Sequence, residues 1–499
     1  MAEVEAERPY VPGDYDVVVV GSGPGGLQSA YCLARAGVER LAVISRDEEP
    51  AGMFRRFPVF QRLISWTKPQ APVDRESRQY EWYDHNSLLA DEPEHRGLMP
   101  MFMDRSFDVP SREEMEASIR AYVERTALRV RYGCALERVS RSGDGLVLAT
   151  SDGEYRCKAA VFALGVTQAW SPPLPGVEAA RHYVDTGRPA DYDGKRVVII
   201  GKRNSGFELA HGLLPWARGI TLVSPRPVET AVLALSALRV RYLQPYDEYV
   251  RGGFGTNVVD AAIEGIERVN GGFRVHAAGT TWPGKLELDA DEVIVATGFR
   301  TPLEPFAELG VATVADGRIP AQTPFWESIS APRVYFAGNA TQGARGMAKH
   351  GAAANSTSVN GFRYNARVLA RHIAEEHLGI RHERPRLERD EAMPLLLAEL
   401  ARAPELWIQK GYLGRALSFG PDGIRDEGIV PLARFVDDSG PDAVAASVET
   451  NADGKIVPVL YVRSNGRVDE HVLAPHPLHE FDGADHRAEL EGRLKPLLR

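Results

Sequence analysis

Two glycine-rich turns are the parts of this sequence whose residue types and spacing indicate chemistry. In the first turn, GSGPGG, Gly21, Gly23 and Gly26 follow the apolar run Val17–Val20 and precede a stretch with helical spacing. Glycines at this spacing let backbone N–H groups approach a pyrophosphate at the positive end of a helix. The turn, which includes Pro24, therefore predicts a dinucleotide site.

The second turn, GKRNSG, follows another apolar strand and departs from the same fingerprint, because Arg203 stands where glycine is expected. Three interpretations remain open. Lys202 and Arg203 clamp the phosphates in place of backbone amides, they point away from a weakly bound nucleotide, or they belong to the reaction itself. The residues predicted to form this second site are Gly201, Lys202, Arg203, Asn204, Ser205 and Gly206.

The residues that end the second strand of each unit predict how the ribose is held. In the first unit Ser45 aligns with the acid expected about 20 residues after the turn, and Asp47 is an equal alternative. In the second unit the strand ends in Ser224, followed closely by Arg226. A carboxylate there would repel a 2′-phosphate, whereas a hydroxyl and a guanidinium attract it. The second unit therefore favours NADPH over NADH.

The elements that position these turns predict an α/β fold with one Rossmann-like domain inserted into another. Strand-to-turn segments at 158–176 (with Gly165) and 291–303 (with Thr297 and Gly298), and a last buried strand at 333–343, are expected to return to the first sheet. The predicted domains are 14–190 with 290–378, an inserted 191–289, and a small α+β appendage at 379–499 with a hairpin turning at 464–466.

Composition excludes several classes of function. The 499 residues carry a net charge of -9 with scattered Lys and Arg, which argues against nucleic-acid binding. No stretch approaches the roughly 18 apolar residues of a membrane span, and no signal peptide is apparent, so a cytoplasmic protein is expected. Cys32, Cys134 and Cys157 form no CxxC pair, so a dithiol of neighbouring cysteines is not expected. No metal site is predicted.

At the two turns the chain resembles the two-dinucleotide-binding-domain flavoproteins, and more narrowly the class B flavin monooxygenases. The shared marks are GSGPGG, ATGF and a closing YFAG strand. The segments FRRFPVFQRLISWTKP (54–69), YDHNSLL (83–89) and NGFRYNARVLARHI (360–373) resemble a group of FAD-dependent oxidoreductases that includes the flavoprotein of endoplasmic-reticulum-associated degradation. The resemblance covers residues 12–375.

The resemblance implies FAD in the first domain and NAD(P)H in the inserted one. Gly338 and Asn339 stand where many relatives have Gly-Asp on the ribityl chain of the flavin, and Asn can donate and accept there. Met53 and Phe54 stand where such proteins approach the flavin.

Flavin with NADPH predicts a single-component monooxygenase for a small metabolite. NADPH reduces FAD, O2 adds at flavin C4a, and the electrophilic oxygen attacks a nucleophilic heteroatom, with N-hydroxylation of an amine expected. Baeyer–Villiger oxidation is disfavoured because the stretch 174–189 lacks the matching His and Trp-Pro. The alternatives are a flavin-dependent halogenase using Lys68 or Lys202, and a non-catalytic FAD-binding partner protein. A homodimer contact is left open.

The least generic segment, Phe54–Ser87, predicts the reaction pocket. Loops on a rigid scaffold concentrate function, and Trp66, Lys68, His85 and Asn86 are the candidates here. In the alternative interpretation Trp66 is core and residues 84–87 form a helix-capping turn. The secondary candidates are Gln342, Lys349 and His350. Residues 240–257 are interpreted either as an ordinary surface loop, which is favoured, or as a mobile wall over the nicotinamide.

Overall fold

The computed structural model describes residues 8–56, 62–230, 238–246, 255–349, 352–495 and residue 497. Contacts divide the chain into two compact units. Unit 1 comprises the described residues of Met1–Gly52, Ser65–Val166 and Thr301–Arg499, and unit 2 those of Met53–Ile64 and Thr167–Arg300. Within these described ranges, no helix is both long enough and apolar enough to cross a membrane.

The first part of the chain forms the strands and helices around the first glycine turn. Val17, Val18 and Val19 are fully buried, as expected for a strand in the middle of a parallel sheet. The first helix begins at Pro24, whose fixed φ suits the first helical position. The elements are β1 (Gly13–Val20), α1 (Pro24–Arg35), β2 (Leu41–Ile44), α2 (Gly52–Arg55), α3 (Arg112–Arg125), β3 (Leu136–Ser142), β4 (Gly145–Thr150) and β5 (Gly153–Phe162).

Unit 2 contains a seven-stranded sheet around the second glycine turn. Its elements are β6 (Gln168–Ala169), β7 (Arg181–His182), β8 (Arg196–Ile200), α4 (Asn204–Leu213), β9 (Gly219–Ser224), β10 (Thr256–Val269), β11 (Gly272–Gly279), β12 (Lys285–Ala290), β13 (Glu292–Val295) and β14 (Phe299–Arg300). The strand order is β12-β11-β10-β9-β8-β13-β7, and the strands from β10 to β7 are parallel. Strands β14 and β6 form a separate pair.

The position of β13 corrects one expectation. The segment containing Thr297 and Gly298 was expected to return to the first sheet, but β13 pairs in parallel with β8 and β7 in the sheet of unit 2. A short buried apolar strand has the same local sequence in either sheet. Only its long-range pairing decides which sheet it joins.

The remainder of unit 1 completes the first sheet. Its elements are β15 (Thr313–Val314), β16 (Ile319–Pro320), β17 (Val334–Phe336), β18 (Ala348–Lys349), β19 (Ala352–Ala353) and α5 (Val359–Leu378). The sheet order is β2-β1-β5-β4-β3, with β17 parallel to β5. Strands β5 and β17 therefore confirm the expected return of the 158–176 and 333–343 segments to this sheet.

The C-terminal appendage is an antiparallel sheet with helices. Its elements are β20 (Arg386–Leu387), α6 (Arg389–Arg402), α7 (Pro404–Ile408), β21 (Leu413–Gly420), β22 (Gly423–Pro431), α8 (Leu432–Asp437), β23 (Ala443–Thr450), β24 (Ile456–Ser464), β25 (Arg467–Val472) and α9 (Ala484–Leu494). The sheet order is β20-β22-β21-β23-β24-β25. Strands β24 and β25 form the predicted hairpin, which turns at Asn465 and Gly466 with φ of 51° and 77°.

The appendage packs directly on the rest of unit 1. The rings of Trp82 and Trp407 lie 4.9 Å apart. Arg78 donates to the buried carboxylates of Glu399 at 2.8 Å and Glu405 at 2.7 Å. These contacts join the appendage to the 78–82 segment, which leads into one of the predicted pocket segments.

Candidate functional site

The first glycine turn has the geometry of a dinucleotide cradle. Gly21 has φ of +113°, and a Cβ there would stand 2.6 Å from the carbonyl oxygen of Ala163. A Cβ on Gly26 would stand 1.9 Å from the oxygen of Gly21. By contrast, nothing lies within 4 Å of the position that a Cβ on Gly23 would take. The protein itself therefore requires Gly21 and Gly26, whereas Gly23 leaves open space in front of helix α1.

The N-terminus of α1 offers amide groups to an anion. Its N-cap residue is Gly23, which has no side chain that could accept a hydrogen bond from the first amides of the helix. In helix α3 of the same unit, Ser111 accepts a hydrogen bond from the Glu114 N–H in a capping box. The first amides of a helix have no intrahelical acceptor, so an uncapped N-terminus suits a phosphate. This arrangement fits the pyrophosphate of a bound dinucleotide.

The Gly338–Asn339 turn closes against the same helix. A Cβ on Gly25 would stand 2.4 Å from the Cα of Gly338, which has φ of +69°. The hydroxyl of Thr341 donates to the Gly338 carbonyl at 2.6 Å. Asn339 follows directly and is partly buried. Two glycines in backbone contact therefore bring the predicted ribityl-binding residue next to the N-terminus of α1.

One of the two predicted ribose-binding residues, Ser45, is already hydrogen-bonded within the protein. Ser45 is buried, and its hydroxyl shares a hydrogen bond with the Ser22 hydroxyl at 2.8 Å and accepts from the Asp47 N–H at 3.2 Å. The Asp47 side chain is half-buried and lies against Gly52. Of the two candidates, Ser45 therefore organises the loop and Asp47 carries the charge. The candidates that follow along the chain lie in α2 and belong to unit 2, where Phe54 is buried and Met53 is half-buried.

The second turn repeats the first at its outer glycines. Gly201 has φ of +126°, and a Cβ there would stand 2.4 Å from the Ala296 oxygen. A Cβ on Gly206 would stand 2.2 Å from the Gly201 oxygen. Arg203 is the N-cap of α4, with φ of -113° and ψ of -167°, which any residue adopts. The arginine at this position therefore does not strain the backbone, and it places an exposed cation at the helix N-terminus.

The other residues of the second turn have distinct environments. Lys202 is buried and forms an ion pair with Asp260. The Asn204 side chain accepts from the Arg239 N–H at 3.1 Å, and Ser205 is half-buried. Ser224 is the last residue of β9. Lys202 therefore does not extend beside Arg203 towards the front of the helix.

Three further cofactor candidates lie in strand-to-turn segments. Gly165 has φ of +67° and Gly298 has φ of +104°. The Thr297 hydroxyl donates to the Trp170 carbonyl at 2.8 Å, and the Trp170 N–H donates to the Gly298 carbonyl at 3.2 Å. In unit 2, Thr297 and Gly298 thus hold a backbone turn, and their contact with a cofactor stays a prediction.

A β-bridge brings two of the predicted pocket residues together. Thr67 and Asp84 form the bridge, and the His85 N–H donates to the Trp66 carbonyl at 3.2 Å. The rings of Trp66 and His85 lie 4.5 Å apart at an angle of 45°. Both side chains are only partly buried, so they can line a binding surface.

The other two pocket candidates are placed differently. The Asn86 side-chain amide is buried and donates to the Ser65 carbonyl and the Thr67 hydroxyl, both at 2.9 Å. Lys68 is exposed, with its Nζ 5.9 Å from the centre of the Tyr83 ring. Asn86 therefore builds the loop, and Lys68 remains open to solvent. Their catalytic roles stay predictions.

Residues 84–87 form a turn, but it caps no helix. The Asp84 carboxylate accepts from the Asn86 N–H at 3.0 Å and the Ser87 N–H at 3.1 Å. The next helical turn begins only at Pro93. The turn is held from below by Arg363, which is fully buried and donates to the Ser87 carbonyl at 2.8 Å and to the Glu81 carbonyl at 2.9 Å. No local pattern in the sequence identifies Arg363 as the residue that supports this loop.

A chain of hydrogen bonds connects the appendage to the Gly338–Asn339 turn. Gln409 is fully buried and donates to the Asn365 side chain at 2.6 Å. Asn365 in turn lies 3.4 Å from the Thr341 hydroxyl, which holds Gly338. The appendage showed no chemical motif in the sequence, yet this relay reaches the predicted ribityl site.

The secondary candidate Lys349 also contacts the appendage. Its ammonium group pairs with the carboxylates of Glu449 at 2.6 Å and Glu470 at 2.9 Å. Gln342 donates to the carbonyl of Asn339 at 2.7 Å. His350 and residues 247–254 of the predicted wall lie outside the described residues.

Burial lowers the pKa of His85 from 6.5 to about 4, helped by the nearby Arg363 cation. Because the folded pKa lies below the unfolded one, His85 contributes stability above pH 6.5, and this contribution is lost as the pH falls towards 4. Between pH 6.5 and 4 the unfolding free energy of the wild type should therefore fall more steeply than that of His85→Asn. The difference between the two slopes should be up to about 1.4 kcal/mol per pH unit. Urea titrations between these pH values measure the difference, with the exposed His211→Asn as control. Identical slopes in all three proteins would contradict the prediction.

A family model described as pyridine nucleotide-disulphide oxidoreductase matches residues 18–338, which is more than half of the chain. The matched range contains both glycine turns and, apart from the first residues of β1, the strands that pair around them. The chain belongs to this family. It is therefore an oxidoreductase that uses FAD and a nicotinamide dinucleotide, as the two turns predict.

Curated relatives of this oxidoreductase carry two kinds of name. The FAD-dependent oxidoreductase domain-containing protein 2 of Danio rerio is 24% identical over 80% of this chain. The match spans 64% of the zebrafish protein, so the chain corresponds to less than two thirds of that relative. A ferredoxin--NADP reductase of Salinispora tropica is 28% identical over 73% of this chain and 98% of that protein.

Solved structures confirm the fold of this oxidoreductase. The bacillithiol disulfide reductase of Staphylococcus aureus superposes with a TM-score of 0.56 at 17% identity, covering 73% of this chain and 99% of that one. A flavin-containing monooxygenase from Stenotrophomonas maltophilia gives a TM-score of 0.54 at 22% identity, with 72% and 98% covered. These likenesses establish the two-dinucleotide-domain architecture.

The thiols of this oxidoreductase are unsuited to redox exchange. Cys32, Cys134 and Cys157 are all buried and unpaired by disulfides. Burial raises the pKa of Cys32 to about 11 and that of Cys157 to about 12, and it also raises the pKa of Cys134. Exchange requires an accessible thiolate. Among the described residues there is also no cluster of His, Cys, Asp or Glu suited to a metal ion.

Proposed function

We propose that this protein is a single-component, NADPH-dependent FAD monooxygenase that hydroxylates the nitrogen of a small amine. The observation that carries the proposal is the pair of uncapped glycine turns, one in each unit, in a chain whose cysteines are all buried. Two dinucleotides predict hydride transfer between them. Buried thiols leave the reduced cofactor without an internal dithiol acceptor.

FAD would be held by unit 1. The amides at the start of α1 and the open space at Gly23 suit its pyrophosphate, and Asn339 suits its ribityl chain. When bound, FAD would supply two-electron chemistry between NADPH and O2, with one oxygen atom going to the substrate and the other to water. The chain's own residues would bind and orient the two cofactors.

The Trp66–His85 pair, which we predict to line the reaction pocket, is compatible with an oxygenase. The pKa of His85 is lowered to about 4, so the imidazole is neutral near pH 7. A neutral ring beside an indole presents a weakly acidic, largely apolar surface. Such a surface suits a reaction that must avoid premature protonation and release of hydrogen peroxide.

The nucleotide preference gives a direct test of Arg226. Arg226 is exposed and lies two residues beyond the end of β9. We expect Arg226→Ala to raise the Kd for NADP+ by about tenfold, through loss of a charge-assisted contact to the 2′-phosphate, and to change the Kd for NAD+ by less than about twofold. Isothermal titration calorimetry measures both, and the exposed Arg188→Ala in the same unit is the control. Equal losses for both nucleotides would contradict the assignment.

The reaction itself is tested by anaerobic reduction with NADPH followed by rapid mixing with O2. An oxygenase consumes one O2 per NADPH and, with a suitable amine present, forms hydroxylamine in place of hydrogen peroxide. Failure of NADPH to reduce the flavin would overturn the proposal. Halogenated product on addition of halide would favour the halogenase alternative instead.

A second candidate is an NADPH-dependent reductase that passes electrons to a protein acceptor. The Salinispora tropica protein named ferredoxin--NADP reductase matches this chain over 98% of its own length, which favours this candidate. The same anaerobic experiment separates the two. A reductase would transfer electrons to an added one-electron acceptor rapidly, and with O2 it would yield only hydrogen peroxide.

A further inference from the structure

Lys202 lies in the second glycine turn but is withdrawn from solvent. Its side chain is 2% exposed and its ammonium group pairs with one carboxylate oxygen of Asp260. The other oxygen of Asp260 accepts a hydrogen bond from the Thr281 hydroxyl at 3.1 Å. Both carboxylate oxygens of this partly buried acid are therefore hydrogen-bonded or ion-paired, and its charge is balanced by a buried lysine.

Asp260 lies beside the strand end that was predicted to select the nucleotide. In the parallel pair β9–β10, Asp260 is in register with Ser224. The adjoining hairpin fixes the same region, because the Thr280 hydroxyl donates to the Pro225 carbonyl at 2.6 Å and the Thr280 N–H donates to the Asp260 carbonyl at 3.0 Å. Asp260 lies within β10, at the last residue that pairs with β9, and so stands beside the strand end where an acid binds ribose hydroxyls and repels a 2′-phosphate.

In the first turn, the position equivalent to Lys202 is a serine, Ser22. Ser22, which also follows the first glycine of its turn, shares a hydrogen bond with Ser45 at the end of the neighbouring strand. In both turns the amide of the first glycine donates a hydrogen bond to the neighbouring strand. The Gly21 N–H donates to the Ile44 carbonyl, and the Gly201 N–H donates to the Val223 carbonyl. The longer Lys202 side chain instead reaches Asp260, one strand further across the sheet.

We infer that Lys202 is a specificity-determining residue, which makes the second site accept a 2′-phosphate by neutralising Asp260 rather than by contacting the nucleotide. The inference rests on the proposed use of NADPH. With the pair intact, the four charged residues Lys202, Asp260, Arg203 and Arg226 contribute a formal charge of +2. Without the Lys202 ammonium it is +1, and an uncompensated carboxylate stands next to Ser224.

The experiment measures binding of 2′,5′-ADP and 5′-AMP to the full-length protein by calorimetry, because these fragments report the 2′-phosphate without involving the flavin. Lys202→Met is expected to raise the Kd for 2′,5′-ADP by about tenfold, or about 1.4 kcal/mol, and to leave 5′-AMP within about twofold. Lys202→Met/Asp260→Asn is expected to bind 2′,5′-ADP within about threefold of the wild type. A persistent loss in the double variant would overturn the inference, since it would mean that Lys202 contacts the phosphate.

The double variant also covers the case in which Lys202→Met alone does not fold, because it leaves no unpaired buried charge. The matched control is Lys195→Met/Glu292→Gln, which removes a lysine–acid pair of 2.8 Å at the opposite ends of the strands in the same sheet. This control is expected to leave both ligands unaffected. A wild-type protein that binds 5′-AMP as tightly as 2′,5′-ADP would overturn both the inference and the proposed NADPH preference. If the wild type prefers 2′,5′-ADP over 5′-AMP, but Lys202→Met binds 2′,5′-ADP as tightly as the wild type does, only the inference about Lys202 is overturned.

Discussion

Gly23→Ala is expected to leave the protein folded while it loses FAD. The backbone of Gly23 has φ of -75° and ψ of 174°, which alanine adopts readily, and nothing lies within 4 Å of the added Cβ. The unfolding free energy of the apoprotein should therefore stay within about 0.5 kcal/mol of the wild type. The methyl group occupies the space through which a pyrophosphate approaches the helix amides, so FAD affinity should fall by at least about a hundredfold.

Two other glycines make this prediction specific. Gly212 lies in α4 with open space around its Cβ position, so Gly212→Ala should retain FAD and gain about 0.5–1 kcal/mol in stability. Gly26→Ala should instead destabilise the fold, because its Cβ would stand 1.9 Å from the Gly21 oxygen. Flavin content after purification and urea unfolding of the apoproteins distinguish the three. Wild-type flavin affinity in Gly23→Ala would show that no pyrophosphate lies there.

Arg363→Met is expected to have the largest effect on stability. Arg363 is fully buried in α5, and its guanidinium holds two carbonyls at the ends of the 81–87 loop. Glu81 and Asp84 are buried and interact electrostatically with Arg363, so its removal leaves their carboxyl groups without this cation. Loss of one partner from a buried charged network costs about 3–5 kcal/mol. We therefore expect the variant to unfold at much lower urea concentrations and the Trp66–His85 pair to lose its fixed geometry.

The control for this variant lies in the same helix. Arg371 is partly exposed and pairs with Glu375 at 3.1 Å, so Arg371→Met should cost no more than about 1 kcal/mol. Adding Asp84→Asn to Arg363→Met removes one uncompensated acid, and it should recover part of the loss. If Arg363→Met were as stable as Arg371→Met, the 81–87 loop would not depend on the buried guanidinium.

The features of this protein that can be predicted from its sequence are local ones. Glycines at fixed spacing after an apolar strand specify the turn, and the structure places Gly21 and Gly201 at positive φ against a neighbouring strand, as that motif requires. The hairpin at Asn465–Gly466 is likewise encoded by residues that tolerate positive φ. Such features depend on the backbone preferences of a few adjacent residues, so they are visible without any tertiary contact.

The contacts between residues that are distant in the sequence became known from the folded structure. The strand Glu292–Val295 has an apolar sequence that fits either sheet, and its pairing with β8 placed it in unit 2. Lys202 looked like a phosphate ligand beside Arg203, yet a strand 58 residues away supplies its counterion, Asp260. Gln409 lies in an appendage without a motif and reaches the Gly338 turn through Asn365. These contacts arise from packing between distant segments, and the spacing of residues along the chain carries no record of them.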